Sequence, residues 1–351
     1  MKKKDRKTIL DVAKEAGVSI STVSRVINNN YPVSSSTKER VERVVKKLDF
    51  KPSMVARSLI ARKTDAFGII VPGITNMFFT MVVQGIERTS SINDYSVFLS
   101  DSKGDGAKER ECVKNLVSRE VDGIIVIDPS TENMLSGFYD EIEEFVPIVF
   151  VNGYNDGLQY NFILNDEKTG TSDALEYLIS LGHKDICFIR GYKSYSYDIK
   201  ENVYKSVMHA HKIPVNNDYI INVGEGNSSE TVDNASSIMY GLLSSDFKPT
   251  AIFSCNDLMA VGALNACKKL QIKVPEQISI IGFDNIIISE LSEPKLTTVD
   301  QNMLLLGESA AKMLLDMLKR ENYEKTRIVL KTRLIKRDSC SRVKRKGYTP
   351  L

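Results

Sequence analysis

The stretch from Thr8 to Asn28, TILDVAKEAGVSISTVSRVIN, leaves the chain's beginning few folds to choose from, because it writes two short amphipathic helices around one glycine. Thr8 is placed to cap the first helix, with Asp11 as a shortened capping-box acid, and Ile9, Val12, Ala13 and Ala16 make its apolar stripe. Gly17 reaches left-handed dihedrals cheaply and so lets the chain leave that helix. Ser19 can cap the second helix, where Val23, Val26 and Ile27 turn inward and Ile20, Ser21, Ser24 and Arg25 stay outside. Such a pair reads as a helix-turn-helix whose second helix enters a DNA major groove; an ordinary αα corner in a small core gives the same spacing.

Charge separates the two readings further. Residues 1–63 carry 16 Lys/Arg against 6 Asp/Glu, whereas the remainder carries 31 against 39, so a near-neutral total hides a basic head on an acidic body. That distribution suits a polyanion at one end. Residues 2–7 read as a basic arm, and Ser34 is expected to cap a third helix with Val41, Val44, Val45 and Leu48 on one face. Pro52 ends it. Ser53 then opens a short helix over 53–61, too short to hold alone. It is either a minor-groove helix with Leu59 as the wedge and Arg57 near phosphate, or a linker packed on the body.

In these segments the chain resembles the LacI/GalR family of bacterial transcription regulators. Residues 8–28, 33–41 and 50–59 carry the likeness, and GIIVP at 68–72, LGH at 181–183, NDLMA at 256–260, VPEQISIIGFD at 274–284 and PKLTTV at 294–299 extend it over nearly the whole chain. The resemblance implies that Ile20, Ser21 and Arg25 read base edges. Arginine can pair bidentately with guanine, isoleucine suits a thymine methyl, and serine is ambiguous. It implies that Thr8, Ser19, Thr22, Ser24 and Asn28 position the helix on phosphate, and that Ser53, Ala56, Arg57 and Leu59 form the minor-groove hinge. Relatives often carry Asn at the Ser53 position; either residue can cap.

From residue 67 the pattern changes. Apolar runs at 67–71, 95–99, 121–127, 146–151, 186–190, 219–223, 250–254 and 278–282 alternate with amphipathic stretches at 78–89, 106–118, 133–143, 168–181, 199–211, 229–243 and 258–270. Continuous apolar strands between helices indicate parallel sheets covered on both faces, and two such blocks imply two lobes around a cleft. The expected fold is therefore an all-α helix-turn-helix head with a hinge helix, joined to a two-lobed α/β body like a periplasmic binding protein, with parallel sheets. The boundaries are 1–50 for the head, 51–65 for hinge and linker, and 66–335 for the body. Within the body, an N-lobe takes about 66–160 and 292–322 and a C-lobe about 164–288 and 325–335. The resemblance implies three crossing segments, placed near 160–164, 287–297 and 320–330, and 328–334 reads as one final strand. Residues 336–351 are basic and aperiodic, and are expected to be a disordered tail.

Ligands of such sheets sit at the carboxyl ends of strands. Phe78 and Phe79, Asn152, Asn256 and Asp284 occupy those places; the resemblance makes the first four effector-site positions, and the Asp284 carboxylate can accept two sugar hydroxyl bonds. Phe78 and Phe79 could equally fill the lobe core, Asp257 could cap its helix, and Asp284 could cap the next turn. Tyr192, Tyr195 and Tyr197 could supply another aromatic wall or lie in a surface loop; Tyr195 is taken as the effector residue among them. Two departures stand out. Lys200 occupies a position that is usually arginine, losing the planar fork, and Gly226 stands where many relatives place a stacking aromatic, which could leave the cleft wider.

No cofactor, metal or catalytic residue is expected. His183, His209 and His211 are scattered, the five cysteines form no close CxxC pair, and no phosphate-loop or nucleophile-elbow motif occurs. No export signal or membrane-length apolar run is visible, so a cytoplasmic protein is expected. The function expected is a homodimeric, operator-binding repressor controlled by a sugar or related metabolite. The alternatives are a purine or sugar phosphate acting as corepressor, or a sugar-binding protein without specific DNA recognition.

Overall fold

A computed structural model describes residues 7–28, 31–50, 63–154, 156–192, 194–228, 230–320 and 323–343. The chain divides into two compact units, Met1–Asp65 and Ala66–Leu351.

The first unit holds α1 (Ile9–Ala16), α2 (Ile20–Asn28) and α3 (Ser35–Lys47). Their inward faces meet as the periodicity dictates: Val12, Ala13, Ala16, Val23, Val26, Val41 and Phe50 form one buried cluster. Thr8 and Asp11 form the full capping box, and Gly17 adopts φ 61° where α1 ends. Ser34 departs from expectation. It stands at the N-cap of α3, but its hydroxyl bonds the Thr37 hydroxyl at 2.9 Å and no backbone amide.

The second unit runs β1 (Ala66–Val71), α4 (Met77–Ile92), β2 (Ser96–Asp101), α5 (Gly106–Ser118), β3 (Gly123–Ile127), α6 (Thr131–Leu135), α7 (Phe138–Glu143), β4 (Ile148–Val151) and β5 (Phe162–Asn165). It continues with α8 (Glu167–Ser180), β6 (Ile186–Arg190), α9 (Tyr195–Ala210), β7 (Ile220–Asn222), α10 (Thr231–Leu243), β8 (Ala251–Ser254), α11 (Asp257–Lys269), β9 (Ser279–Ile281) and α12 (Ile288–Leu291). Then come β10 (Thr298–Asp300), α13 (Met303–Lys319), β11 (Arg327–Leu330) and β12 (Arg333–Ile335). Among the described residues the strands form one parallel sheet in the order β11-β5-β4-β3-β1-β2, a second parallel sheet in the order β7-β6-β8-β9, and an antiparallel β10-β12 pair. The first sheet is the N-lobe, the second the C-lobe. Central strands such as β1 and β3 are buried throughout, whereas the edge strand β2 leaves Phe98 and Leu99 about half exposed.

Helices α4 and α13 pack on the N-lobe sheet, and both carry a glycine at their contact. A Cβ on Gly307 would stand 2.0 Å from the Val82 carbonyl oxygen, and one on Gly85 would stand 2.2 Å from that of Leu304. Only glycine permits so close an approach of two helix backbones.

Several boundaries differ from those the sequence suggests. The 133–143 helix is two short helices, and α9 begins at Tyr195 rather than near 199. The segment 160–164 is not a crossing: β5 pairs with β4 and β11 inside the N-lobe sheet. The strand placed at 328–334 breaks at Lys331–Thr332, giving β11 to the N-lobe sheet and β12 to the β10 pair. The lobes therefore exchange chain just after Asn165, at Gln301–Asn302 rather than near 287–297, and at Lys331–Thr332 rather than near 320–330, because 297–300 still pairs within the C-lobe and 327–330 within the N-lobe sheet. Residues 336–343 are not a disordered tail. Ser339 Oγ donates to the Ile280 carbonyl at 2.6 Å and accepts from Thr297 N at 2.8 Å, and Ser341 N donates to Ser279 Oγ at 3.0 Å. Polar bonds to the flank of the C-lobe sheet hold this segment, so it needs no apolar period. Residues 344–351 lie outside the described residues. No described helix is long and apolar enough to cross a membrane.

Candidate functional site

In the head, Ser19 Oγ accepts from Thr22 N at 3.2 Å and lies 2.8 Å from Ser21 Oγ and 2.9 Å from Thr22 Oγ1. These hydroxyls crown the N-terminus of α2, where helix amides already favour an anion. Val23 and Val26 bury the inner face of α2, which leaves Ile20, Ser21 and Arg25 exposed on the opposite face. The Arg25 guanidinium stands 5.3 Å over the Tyr31 ring, which restrains it without consuming its donors. Thr22 and Ser24 are half-buried, and Thr8 is exposed at the start of α1. Thr8 donates its N–H and hydroxyl to Asp11, holding that carboxyl below its ordinary range. Asn28 ends α2, but its side chain, like Ser53, Ala56, Arg57 and Leu59, lies outside the described residues.

In the body, a cleft of about 390 Å³, its open mouth included, collects side chains from both lobes. Phe78, Phe79 and Asn152 come from the N-lobe, and Lys200, Asn256 and Asp284 from the C-lobe. Both phenylalanines also belong to the N-lobe core, with their rings edge to face at 5.4 Å, so the core and cleft readings hold together. Tyr195 is the exception. Its hydroxyl donates to Asp156 Oδ2 at 2.5 Å and its ring packs edge-on to Tyr154 at 4.8 Å, joining the lobes beside the cleft without lining it.

The cleft also holds Tyr197, one of the three tyrosines considered for an aromatic wall, and groups that the sequence did not single out: Asn76, Asp128, Glu167, Ser194, Ser196, Asn227, Cys255 and Gln301. Asp128 follows β3 as Asn152 follows β4, and Glu167 opens the helix after β5. The strand-end rule that pointed to Asp284 points equally to them. Asn76 Nδ2 donates to Asn227 Oδ1 at 3.0 Å, which ties the two lips of the cleft together.

Charge in this cleft is unevenly satisfied. Lys200 Nζ donates to Ser196 Oγ at 2.7 Å and to Glu167 Oε1 at 3.1 Å, and it stands 4.1 Å over the Phe283 ring. Burial pulls this ammonium towards losing its proton, but the charge of Glu167, with smaller help from Asp284, overrides burial and leaves it a firm cation. Asp284 accepts from Gln301 Nε2 at 2.6 Å, while Asp128 accepts, among the described residues, a long 3.4 Å bond from Ser194 Oγ. Burial pushes both carboxyls up to about 7, with Glu167 adding repulsion and Lys200 opposing it. Asp128, Asn152 and Asp284 all adopt positive φ, at 45°, 58° and 111°, so the backbone holds these three in costly conformations.

Two neighbours serve the frame. Asn256 caps α11 by accepting from Met259 N at 2.9 Å and donates Nδ2 to the Gly226 carbonyl at 2.8 Å. Asp257 does not cap: it accepts from Ile286 N at 2.9 Å and from Thr298 Oγ1 at 2.6 Å, bracing the loop that carries Asp284. Among the described residues no group of His, Cys, Asp and Glu is arranged to hold a metal ion.

Residues 8–53 match the family model for bacterial regulatory proteins of the lacI family, and residues 175–340 match that for a periplasmic binding protein-like domain. Catabolite control protein A of Priestia megaterium is 34% identical over 335 residues, covering 95% of this chain and 98% of the relative. The HTH-type transcriptional repressor PurR of Vibrio parahaemolyticus is 32% identical over 337 residues, covering 96% and 99%. Among solved structures, the Lac repressor dimer bound to operator and the anti-inducer ONPF superposes with TM-score 0.84 at 27% identity, covering 96% of this chain and 100% of that one. The complex of the transcriptional regulator CelR with cellobiose superposes with TM-score 0.70 at 28% identity, covering 95% and 100%.

Proposed function

Because this chain belongs to the LacI family of bacterial DNA-binding transcriptional regulators, we propose that it is a homodimeric repressor whose operator affinity is set by a neutral, polyhydroxylated metabolite, a sugar, seated in the cleft. On this reading Ile20, Ser21 and Arg25 read the base edges of a half-site, with Thr8, Ser19, Thr22, Ser24 and Asn28 on the flanking phosphates, and a second copy reads the other half-site. The chain carrying residues 51–65, with Ser53, Ala56, Arg57 and Leu59, is the minor-groove element of the same reading. Ile92, Phe98 and Leu99, exposed at and beside the β2 edge, favour burial against a second copy.

One observation carries the choice of effector: Asp128 and Asp284 face the cleft from opposite lobes while Lys200 is already engaged by Glu167 and Ser196. Once ionised, these two carboxylates only accept, so above about pH 7 such a cleft favours a ligand rich in hydroxyl donors and disfavours a phosphorylated one. A ligand bridging the lobes then changes operator affinity by the difference in its affinity for the two lobe arrangements.

The test is selection from random duplexes with the full-length protein, repeated with D-ribose, D-glucose, cellobiose, their phosphates and hypoxanthine. A selected operator released by a neutral sugar is the expected result. Enrichment of no sequence under any condition overturns the DNA reading, and a response confined to phosphates or hypoxanthine overturns the effector reading.

A further inference from the structure

A tyrosine in the cleft wall sits in space that two glycines keep clear. Tyr197 lines the cleft and is 3% exposed, and a Cβ on Gly191 would stand 2.6 Å from its Cε2. A Cβ on Gly226 would stand 2.7 Å from its hydroxyl oxygen, and Gly226 adopts φ 88°, so neither space nor backbone welcomes a side chain there. The Gly226 loop is pinned on one side by Asn256 Nδ2 and on the other by Tyr192 N, which donates to the Gly224 carbonyl at 2.9 Å. The cleft is therefore not widened by the glycine: the Met259 methyl, 2.6 Å from that position, and the Tyr197 hydroxyl fill the volume that a side chain at 226 would occupy.

The hydroxyl needs a separate explanation. It is enclosed and has no hydrogen-bond partner among the described residues. Enclosing an unpaired hydroxyl is destabilising, and phenylalanine would fill the same volume without that penalty. We propose that Tyr197 is a specificity-determining residue of the cleft, its ring forming the wall against the effector and its hydroxyl pairing with a polar group that the effector brings. This rests on the reading of the cleft as a sugar site.

The test is Tyr197→Phe in the full-length protein, with calorimetric titration of D-ribose, D-glucose and cellobiose and thermal melting without sugar. Loss of one ligand hydrogen bond predicts an affinity about 3- to 10-fold weaker for whichever of these sugars wild type binds. The sugar-free melting temperature should be unchanged or slightly higher, because no protein hydrogen bond is lost. Equal affinities in wild type and variant, or a fall in melting temperature that accounts for the weaker binding, overturns the assignment to Tyr197 and leaves the sugar site standing. If none of the three sugars binds wild type, the sugar reading falls and the assignment with it.

Discussion

Gln301 Nε2 donates to Asp284 Oδ1 at 2.6 Å while Gln301 Oε1 accepts from Asn165 Nδ2 at 2.9 Å, and Asn165 N in turn donates to Asn152 Oδ1 at 3.0 Å. All four residues are buried. The chain of bonds runs from the end of β4 in the N-lobe, through two of the places where the backbone changes lobes, to the loop after β9 in the C-lobe. Gln301→Leu removes the middle of it, stranding a buried carboxylate and a buried amide. The variant should lose roughly 1–3 kcal/mol of stability in the body and bind sugar more weakly, as read by melting and calorimetry. A variant with wild-type values in both would show that the bonds are incidental.

The cleft carboxyls make pH a second probe. Asp128 and Asp284 titrate near 7 in the folded chain against an ordinary value of 3.8, because burial disfavours their charge. Between those values the folded state holds protons that the unfolded state has released, so stability falls as pH rises from about 4 to about 7. Sugar affinity should move the other way, strengthening from about pH 6 to about pH 8 as both groups become full acceptors. Calorimetric titrations across that range check the trend, and Asp128→Asn should flatten it.

Arg25→Ala should cost about 1–3 kcal/mol of discrimination at one base pair of the half-site, with a much smaller loss on random DNA. Competition binding against operator and scrambled duplexes at fixed salt separates the two. Tyr31→Ala, which removes the ring under the guanidinium, should give a smaller loss in the same direction. Equal losses on both duplexes for Arg25→Ala would move that residue from base to phosphate.

Gly307→Ala asks two helix backbones to separate, since the added carbon would stand 2.0 Å from the Val82 carbonyl oxygen. Overpacking at such a contact is expected to cost about 1–3 kcal/mol. Urea unfolding of the body measures it directly. Gly241→Ala, on a helix position with nothing near the added carbon, serves as the control and should be neutral or stabilising.

How much of this was legible in the chain depends on how local each cause is. The head was readable because Val12, Ala16, Val23 and Val26 repeat at helical spacing, and because Thr8, Asp11 and Gly17 act within one turn of themselves. The short strands β5 and β10 were missed, and β11 and β12 run together, since partners far along the chain define them: Ile163 pairs with Ile328, and Val299 with Leu334. Residues 336–343 looked featureless because Ser339 and Ser341 are held by polar bonds that leave no hydropathy pattern. In the cleft, Asn152, Asn256 and Asp284 announced themselves at strand ends, and Asp128 would have done so under the same rule. Tyr197 was in view among three tyrosines but lost to Tyr195, and Gln301 was not in view at all, since contact with Gly191, Gly226 and Asp284 across the fold is what makes them part of the site.

The glycine contact between α4 and α13 has a mechanical consequence. Asn76, at the head of α4, holds one lip of the cleft through Asn227, and Gln301, two residues before α13 begins, holds its floor through Asp284. With Gly85 and Gly307 meshing these helices carbonyl to Cα, the two cannot slide past each other independently. Anything that seats between the lobes therefore pulls on the cleft-side ends of both helices at once and moves them as a pair.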